Sequence, residues 1–386
     1  MAESVYDIVV IGGGPAGAMA SHYLVQAGYS VCLVERRSFP RETLCGEFLS
    51  HEVIGILRDI GVENEFLALG PSPISRFTLC TDRGPIISES LGFTAFGLKR
   101  GAFDQMLLKT AIHRGVHVLQ PAEAEAVNRV ENGFKTVCRM HEGIQTLQSR
   151  WCIGAYGKSS PLDKQLRRPF AGVRSRINGI KFHVPSASLA GVDADEIRIY
   201  TGPGMYCGVN HVDGGVATIC FLEQRADDTL PPRARLRELM AENKHFERLL
   251  GVTGIAAVDH ATVYGTGNIF FGRRNLVEDG IFMVGDAGRV IAPLAGDGIG
   301  MAMQGARLLG RLFRADMSAG SSSTDLETEY CAEWDKLFRN RLRSAAALQR
   351  ILFSAPLRRA ASSLLAIYPR LLIRAISLTR DRSHRP

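Results

Sequence analysis

The 386-residue sequence lacks the marks of a disulfide-rich, zinc-binding or membrane-spanning protein. Its eight cysteines include no CxxC pair and no zinc-ligand spacing, so we expect free thiols in a reducing cytosol and no metal site. No uninterrupted apolar run reaches the roughly 18 residues that a transmembrane helix needs, and the N-terminus has no basic signal-peptide region. These features together predict a cytoplasmic protein. At ~150 residues per domain, the length predicts two to three domains.

Acidic residues are scarce in the C-terminal segment 336–386, which has twelve Lys or Arg and one Asp. Because the whole chain carries +7, the +11 of this segment leaves −4 on the remainder. Leu, Ile and Phe recur between the arginines, and Pro356 and Pro369 divide the segment into about three helices. Two interpretations stay open: an interfacial segment on the anionic inner face of a membrane, or basic helices docked on the acidic body. Nucleic acid is disfavoured as a partner because no known binding motif accompanies the arginines.

The first forty residues predict a Rossmann-type βαβ unit. A short β-branched strand, Val5–Ile11, ends at a glycine-rich turn. A helix over 16–27 and a second strand over 31–34 are expected to follow, with Gly28 ending the helix. This order of elements is the context in which a glycine fingerprint binds an adenine dinucleotide.

The glycine-rich turn predicts the contacts with that dinucleotide. Gly12 permits the tight turn, Gly14 lets a pyrophosphate approach the backbone, and Gly17 lets helix and strand pack closely. Glu35, at the end of the second strand, is placed to accept hydrogen bonds from both ribose hydroxyls. The cofactor contacts predicted in this region are Gly12, Gly14, Pro15, Ala16, Gly17, Glu35 and Arg36.

A second glycine-rich region, far downstream, indicates that the dinucleotide is FAD. A turn and strand over 280–284 precede Asp286, and a helix of small residues is predicted over 299–313. The Asp286 carboxylate can accept hydrogen bonds from a ribityl chain, and the helix N-terminus favours an anionic reduced flavin. NAD has no ribityl chain, so the two regions together predict noncovalently bound FAD. The contacts predicted here are Gly285, Asp286, Gly296, Gly298, Ile299 and Gly300.

These motifs resemble those of FAD-containing aromatic hydroxylases and geranylgeranyl reductases. The resemblance rests on the fingerprint over 12–17, the Glu35-Arg36 pair, KRGAFD over 99–104, and GDAGxxIxPxxGxGIxxA from Gly285 onwards. It implies that Arg100 contacts the cofactor and that NADPH or NADH supplies the electrons. Ala124 is a further candidate cofactor contact.

Shorter segments narrow the resemblance. The turn GAYGKSS over 154–160 carries Tyr156 where the hydroxylases carry an acid, which implies a different handling of NADPH. The chain lacks the WxWxIP segment of flavin halogenases, which disfavours a halogenase. Together with Cys45–Ser50 and YCG from Tyr206, the turn is most similar to small bacterial flavoproteins found beside type III polyketide synthases. That similarity implies oxidation of resorcinol- or pyrone-like lipids.

Cys45, Glu47 and Tyr206 are the candidate catalytic residues. The resemblance places the Cys45-Gly46 loop near the flavin, where the thiol either donates a proton or packs as a small apolar group. Glu47 is a candidate acid/base or a helix cap, and Tyr206 is a candidate substrate-positioning phenol or a core residue. Isolated histidines are more often structural than catalytic, and the candidate bases among them are His183, His211 and His260.

The predicted fold is α/β, a Rossmann-type FAD-binding domain interrupted by a β-sheet substrate domain and followed by a helical C-terminal tail. We expect the FAD-binding domain over 1–78, 97–165 and 271–330, the substrate domain over 79–96 and 166–270, and the tail over 331–386. Within the substrate domain we predict strands near 180–184, 196–200, 205–209 and 215–222, a helix near 233–250 and a strand near 257–263.

These features predict an FAD-dependent monooxygenase that hydroxylates an electron-rich, hydrophobic aromatic or polyketide-derived substrate. One alternative is a reductase that saturates C=C bonds of an isoprenoid or other lipid. The Cys45-Gly46 pair and the basic tail with its apolar residues favour this alternative. Another is a flavin-bound partner in a biosynthetic complex without turnover of its own. We also expect a chain that ends near Cys331 to keep FAD, because the cofactor motifs all precede Phe313.

Overall fold

A computed structural model describes residues 4–82, 86–224, 230–319 and 323–380. Within these ranges the strands are β1 (Ser4–Ile11), β2 (Val31–Val34), β3 (Phe48–Leu49), β4 (Ser72–Cys80), β5 (Ile86–Gly97), β6 (His117–Leu119), β7 (Ala122–Val130), β8 (Gly133–Met140), β9 (Gly143–Gly154), β10 (Ile177–Pro185), β11 (Glu196–Gly202), β12 (Met205–Val212), β13 (Val216–Gln224), β14 (Val263–Thr266), β15 (Val277–Glu278) and β16 (Ile281–Met283). The α-helices are α1 (Pro15–Gln26), α2 (His51–Asp59), α3 (Glu63–Leu67), α4 (Arg100–His113), α5 (Pro161–Gln165), α6 (Pro232–Glu242), α7 (Lys244–His260), α8 (Gly298–Ala319), α9 (Ser323–Phe353), α10 (Ala355–Ile367) and α11 (Leu371–Ser377).

The first sheet carries the predicted βαβ unit. β1 pairs in parallel with β2 on one side and with β9 on the other, and β16 continues the parallel order beyond β9. Ile8 and Val10 pack into one core cluster and Val9 into another, so both faces of β1 are buried. α1 begins at Pro15, directly after the glycine-rich turn, which confirms the predicted order of strand, turn and helix.

The second sheet runs in the order β14-β10-β13-β12-β11-β4-β5-β3. The four strands predicted between 180 and 222 are all present as β10 to β13. The strand predicted near 257–263 is wrong except at Val263, because α7 continues to His260 and β14 covers Val263–Thr266. The backbone of α7 is non-helical at Gly251, and beyond this break the buried Gly254 and Val258 are four residues apart, which is the spacing of a helix face.

The chain enters the second sheet earlier than expected. β3 pairs with β5, and β4 crosses the expected boundary between 78 and 79 while pairing with β5 and β11. We therefore propose that this boundary lies before Ser72. The remaining domain limits stay predictions, whereas the α/β class with two sheets and a helical C-terminal region is confirmed.

The C-terminal segment forms three helices, α9, α10 and α11, as its prolines predicted. Pro356 lies in the first turn of α10, and Pro369 lies in the break between α10 and α11. In the described part of the chain, no single helix has both the length and the apolar character to cross a membrane. α10 and α11 meet that test only as a pair, and the pair is bent by 118°.

Candidate functional site

One cavity of about 580 Å³ is lined by both sheets and by the loops that follow their strands. Gly12, Gly14 and Glu35 line it from the first sheet, and Tyr206 and Cys220 line it from the second. Its size is within the usual range of small-molecule and cofactor sites. The cavity therefore joins the predicted cofactor contacts to the predicted substrate domain.

The part of the cavity beside α1 gathers two arginine side chains at the N-terminus of the helix. A Cβ atom on Gly14 would lie 3.5 Å from Nη2 of Arg41 and 3.9 Å from Nη2 of Arg100. Both guanidinium groups pair with the buried Asp104, which fixes them beside the N-terminus of α1. Two oriented cations and a helix N-terminus match the charge of a pyrophosphate. The sequence indicated Arg100 but not Arg41, which follows Glu35 by six residues and belongs to no recognised motif.

The glycine-rich turn has the backbone geometry that the fingerprint predicts. Gly12 has a φ of +110°, and a Cβ atom on Gly17 would lie 1.7 Å from the Gly12 carbonyl oxygen. Any side chain at Gly17 would push α1 away from β1. Gly17 therefore sets the packing of the turn and does not line the cavity itself.

Glu35 is held in place for a ribose. Its Oε2 accepts a hydrogen bond from the Gly13 N–H at 2.7 Å, and its Oε1 accepts one from the Arg37 N–H at 2.9 Å. Oε1 also lies 3.6 Å from Arg41 Nε, whereas Oε2 keeps a second lone pair for a hydroxyl group of a ligand. Ala124 lies outside the main cavity and lines a small adjoining recess that Glu35 and Arg36 also line.

The predicted flavin contacts divide into two groups. Asp286, Gly296, Gly298 and Ile299 line the cavity, and Asp286 lies 3.5 Å from the Lys158 ammonium group. The other two predicted residues are packing positions outside the lining. A Cβ atom on Gly285 would lie 2.7 Å from the Ala16 Cβ, and one on Gly300 would lie 2.7 Å from Asp297 Oδ1.

Glu47 is the centre of a buried charged cluster beside the cavity. Its Oε1 accepts hydrogen bonds from the Lys181 ammonium at 2.9 Å and from the Arg100 N–H at 3.0 Å. Its Oε2 accepts one from the Thr218 hydroxyl at 2.5 Å and lies 2.6 Å from His183 Nε2. The Glu47 backbone has a φ of +56°, a left-handed conformation that costs a non-glycine residue about 1–3 kcal/mol.

The cluster keeps Glu47 ionised. Burial raises the pKa of a carboxyl group, but the His183 hydrogen bond and the Lys181 charge outweigh it and lower the pKa of Glu47 to about 2. A carboxylate with four polar neighbours and so low a pKa is a poor proton donor at neutral pH. This geometry argues against the expected acid/base role, and Glu47 caps α4 through the Arg100 N–H instead of the helix near His51.

The same cluster brings three possible metal ligands together, although no ligand spacing in the sequence indicated one. Oxygen or nitrogen atoms of Glu42, Glu47 and His183 lie within 4.8 Å of one another. The Lys181 ammonium already lies 2.7 Å from Glu42 and 2.9 Å from Glu47. That fixed cation pairs with both carboxylates and offsets one of their two negative charges.

The other two candidate catalytic residues, Cys45 and Tyr206, both line the cavity. The Cys45 Sγ accepts a hydrogen bond from the Glu47 N–H at 3.3 Å. Tyr206 is buried, and its ring stacks on Phe353 from α9 with centroids 5.9 Å apart. Its hydroxyl lies near the Leu294 backbone and makes no hydrogen bond of ordinary geometry within the described residues. Burial raises the pKa of Tyr206, so the phenol stays neutral.

The candidate histidines separate clearly. None of the three lines the cavity, but His183 contacts Glu47, which does, whereas His211 is 2.8 Å from the Ser186 hydroxyl. His260 is exposed at the end of α7. Of the three, the structure brings only His183 to the site.

Tyr156, where the related hydroxylases carry an acid, borders the cavity. Its hydroxyl donates a hydrogen bond to Asp163 at 3.0 Å, and Arg168 pairs with the same carboxylate at 3.0 Å. Asp163 therefore supplies an acid from α5, seven residues later in the chain. The sequence pattern did not indicate this pair.

Apolar side chains dominate the part of the cavity that the second sheet encloses. This apolar chamber is lined by Phe77, Leu91, Ile197, Ile199, Leu222, Val263, Ile269, Val290, Ile291 and Leu294. The polar groups that reach it from the second sheet include the Tyr206 phenol and Asn210. Such a chamber suits an apolar molecule with few polar groups.

The C-terminal helices dock on the predicted flavin loop. Asp297, between Gly296 and Gly298, is fully buried and pairs with Arg341 from α9. Arg380 follows α11, lines the cavity and donates a hydrogen bond to the Gly296 carbonyl at 3.3 Å. Burial raises the pKa of Asp297 to about 7, against the opposing effect of Arg341.

This arrangement supports the docked interpretation of the tail. It also argues against our expectation that a chain ending near Cys331 keeps FAD. Such a chain would lack both arginines that neutralise Asp297, in the middle of the loop that lines the cofactor cavity. The expectation considered only the motifs before Phe313, whereas their ionic partners come after them.

Comparisons with known proteins agree with this geometry. The family model described as an FAD binding domain matches residues 5–339. The aromatic compound monooxygenase YhjG of Bacillus subtilis, itself uncharacterized, is 25% identical over 84% of this chain, which spans 64% of that protein. The digeranylgeranylglycerophospholipid reductase of Methanoculleus marisnigri is 25% identical over 85% of this chain and 81% of its own length.

The fold is shared with solved flavoproteins. A flavoprotein/dehydrogenase from Cytophaga hutchinsonii superposes with a TM-score of 0.76 at 17% identity, over 96% of this chain and 92% of its own. Because the identity is low, this similarity concerns the fold alone. The family match, the cradle beside α1 and the relatives together show that the chain belongs to the FAD binding domain family and is an FAD-dependent oxidoreductase.

Proposed function

We propose that the protein is a monooxygenase that hydroxylates an electron-rich, apolar aromatic or polyketide-derived molecule. The observation that carries the proposal is the apolar chamber with the buried, neutral Tyr206 phenol in its wall. An unpaired buried hydroxyl costs about 1–3 kcal/mol, so a hydroxyl or carbonyl on the substrate would recover that energy. The name of the Bacillus relative is consistent with this substrate class.

The residues present fit FAD. Arg41 and Arg100 would hold its diphosphate, Glu35 its adenosine ribose, and Asp286 its ribityl chain. When bound, FAD supplies redox chemistry: it accepts two electrons from NADPH or NADH and passes them on to O2 or to a substrate.

The protein's own side chains have supporting roles in this proposal. Tyr206 orients the substrate through its phenol, and the apolar chamber limits the access of water. Glu47 stays ionised and fixes the Cys45-Gly46 loop through its backbone and side-chain contacts. Phe353 closes the chamber wall behind Tyr206.

A lipid C=C reductase is the second candidate. It is favoured by the Cys45 thiol, which lines the cavity at the position where the resemblance to geranylgeranyl reductases predicted it. The Methanoculleus relative has such an activity in its name. A flavin-bound partner without turnover is no longer favoured, because the relatives are named as enzymes.

The two candidates differ in their use of O2. The purified FAD-loaded protein is reduced anaerobically with NADPH or NADH, then mixed with O2 and either pentadecylresorcinol or a geranylgeranyl lipid. We expect O2 uptake that rises with the resorcinol and a product that carries labelled oxygen from O2. Saturation of the geranylgeranyl lipid without O2 uptake would instead establish the reductase.

We also propose that the apolar substrate reaches the enzyme from an anionic membrane surface. The exposed residues of the C-terminal helices carry this second proposal.

A further inference from the structure

The outer face of α10 and of the segment after it is unusually apolar for an exposed surface. Its exposed side chains include Ile367 at 69% and Tyr368 at 58% of full exposure. We call this surface the C-terminal elbow, because α10 and α11 are bent by 118° around it. Its exposed apolar side chains are Leu357, Leu364, Ile367, Tyr368 and Leu378.

The elbow is also basic without compensating acids. The sequence from 336 to 380 contains no Asp or Glu. Arg359, Arg370 and Arg374 are exposed on the elbow and make no ion pair with any described residue. Some exposed arginines elsewhere do pair, such as Arg58 with Glu63 and Arg237 with Asp259, whereas these three lie close together on one apolar surface. The unpaired charges of the elbow suit an anionic partner.

The inner face of the same helices belongs to the wall of the apolar chamber. Leu372 from α11 is buried in a core cluster with the chamber residues Phe77, Leu91 and Tyr206. Leu365 from α10 and Ile376 from α11 pack against that cluster, beside Leu352 and Phe353 at the end of α9. The elbow therefore lies on the outside of the wall whose inside faces the substrate.

We propose that the C-terminal elbow is an interfacial docking surface for an anionic lipid bilayer. Leu, Ile and Tyr side chains would enter the headgroup region, and the three arginines would contact lipid phosphates. A spanning arrangement is disfavoured because the inner face is packed on the protein. A second copy is disfavoured as well, because a two-fold contact would bring the unpaired arginines of both copies together. The proposal rests on the proposed function only for the source of the substrate.

The test is sedimentation of the FAD-loaded protein with vesicles, measured without turnover. We expect binding to phosphatidylglycerol vesicles at low salt, release at high salt, and weak binding to phosphatidylcholine vesicles. Replacing the three arginines with Gln should weaken binding roughly 100-fold, at ~1 kcal/mol for each arginine. The matched charge control replaces three exposed lysines outside the elbow with Gln, namely Lys109, Lys164 and Lys244.

A second variant tests the apolar contribution. Leu364, Ile367 and Tyr368 are replaced with Gln, which preserves the helix propensity of an exposed face. Its control replaces three exposed apolar residues elsewhere with Gln, namely Val130, Ile144 and Val252. Loss of vesicle binding in the elbow variants, with FAD content and both controls unchanged, supports the proposal.

Two results would overturn it. One is equal vesicle binding by the elbow variants and their controls. The other is self-association without vesicles that the apolar elbow variant abolishes, which would identify a second copy as the occupant. Because no turnover is measured, a failed hydroxylation assay would leave the vesicle result intact, and the reverse also holds.

Discussion

Replacing Arg341 with Gln should loosen the flavin loop and lower FAD affinity, although Arg341 itself does not line the cavity. The Arg341 side chain is buried and pairs with Asp297, which is fully buried between Gly296 and Gly298. Gln keeps a hydrogen-bonding group at this position but removes the charge. The variant therefore tests whether the tail holds the loop by its charge.

The magnitude follows from the burial of the pair. Removing one partner of a buried ion pair costs about 3–5 kcal/mol when the other is left charged and unpaired, and Arg380, 3.8 Å from Asp297 Oδ1, should keep the cost below that range. The pKa of Asp297 is already about 7 with Arg341 present, and it will rise further without Arg341. The folded variant can therefore bind a proton at Asp297 below neutral pH and recover part of that cost.

The sign of the pH dependence follows from the raised pKa. The stability that protonated Asp297 contributes is complete below its unfolded pKa of 3.8 and is lost as the pH rises through the folded value. That window ends near pH 7 in the wild type and extends above 7 in the variant. The deficit of Arg341→Gln in the free energy of unfolding should therefore be larger at pH 8 than at pH 6.

The assay is urea unfolding and FAD titration at pH 6 and pH 8, for Arg341→Gln and for Arg341→Gln combined with Asp297→Asn. The double variant removes the buried charge and should regain much of the lost stability at pH 8. Arg339→Gln is the control, because Arg339 lies on the same helix in an exposed pair with Asp335. The reasoning is refuted if the deficit is equal at both pH values and Asp297→Asn restores nothing.

Five further predictions concern the cavity. Glu47→Gln should lower the free energy of unfolding by about 3–5 kcal/mol, because it leaves the buried Lys181 with Glu42 as its remaining ion-pair partner. Urea unfolding measures this loss, with Glu42→Gln at the partly exposed Glu42 as the control. The lowered pKa of Glu47 contributes about 3 kcal/mol to the stability of the wild type above pH 4.5. We expect this contribution to be lost as the pH falls through about 2. Acid unfolding of the wild type and of Glu47→Gln measures the loss. Tyr206→Phe should raise KM for a phenolic substrate about 5- to 30-fold with little loss of FAD. The control Tyr200→Phe, whose tyrosine is buried in the same sheet outside the cavity, should leave KM unchanged. Equal KM values for the two variants would contradict the role assigned to Tyr206. Asp286→Ala should weaken FAD binding by about 1.5–3 kcal/mol. Acid precipitation of the wild type should release all the flavin. Yellow colour that stays in the pellet would show covalent attachment.

The cofactor half of the site could be predicted because its residues are close in sequence. The fingerprint from Gly12 to Gly17 and the acid at Glu35 belong to one βαβ unit, whose local geometry fixes their relation. Asp286 and Gly296 belong to a second local segment of the same kind. In both segments the strand, turn and helix signals agreed with one another.

The rest of the site depends on contacts between distant segments. Thr218 and Glu47 are 171 residues apart in sequence, and Lys181 and Glu47 are 134 apart. No periodicity or spacing relates residues that meet only when two sheets close on one another. For the same reason the sequence suggested an acid/base or capping role for Glu47 and did not indicate the ion pair of Asp297 with Arg341.

The docking of Arg380 has a consequence for how the enzyme matures in the cell. Arg380 comes later in the chain than every other residue that lines the cofactor cavity, and it binds the Gly296 carbonyl. Domains generally fold as units during synthesis, beginning at the N-terminus, so the βαβ unit can form while the tail is still being made. The flavin loop, however, obtains its last contact only after residue 380 has left the ribosome. We therefore expect a chain that stops before Arg380 to fold its βαβ unit but to bind FAD more weakly than the full chain.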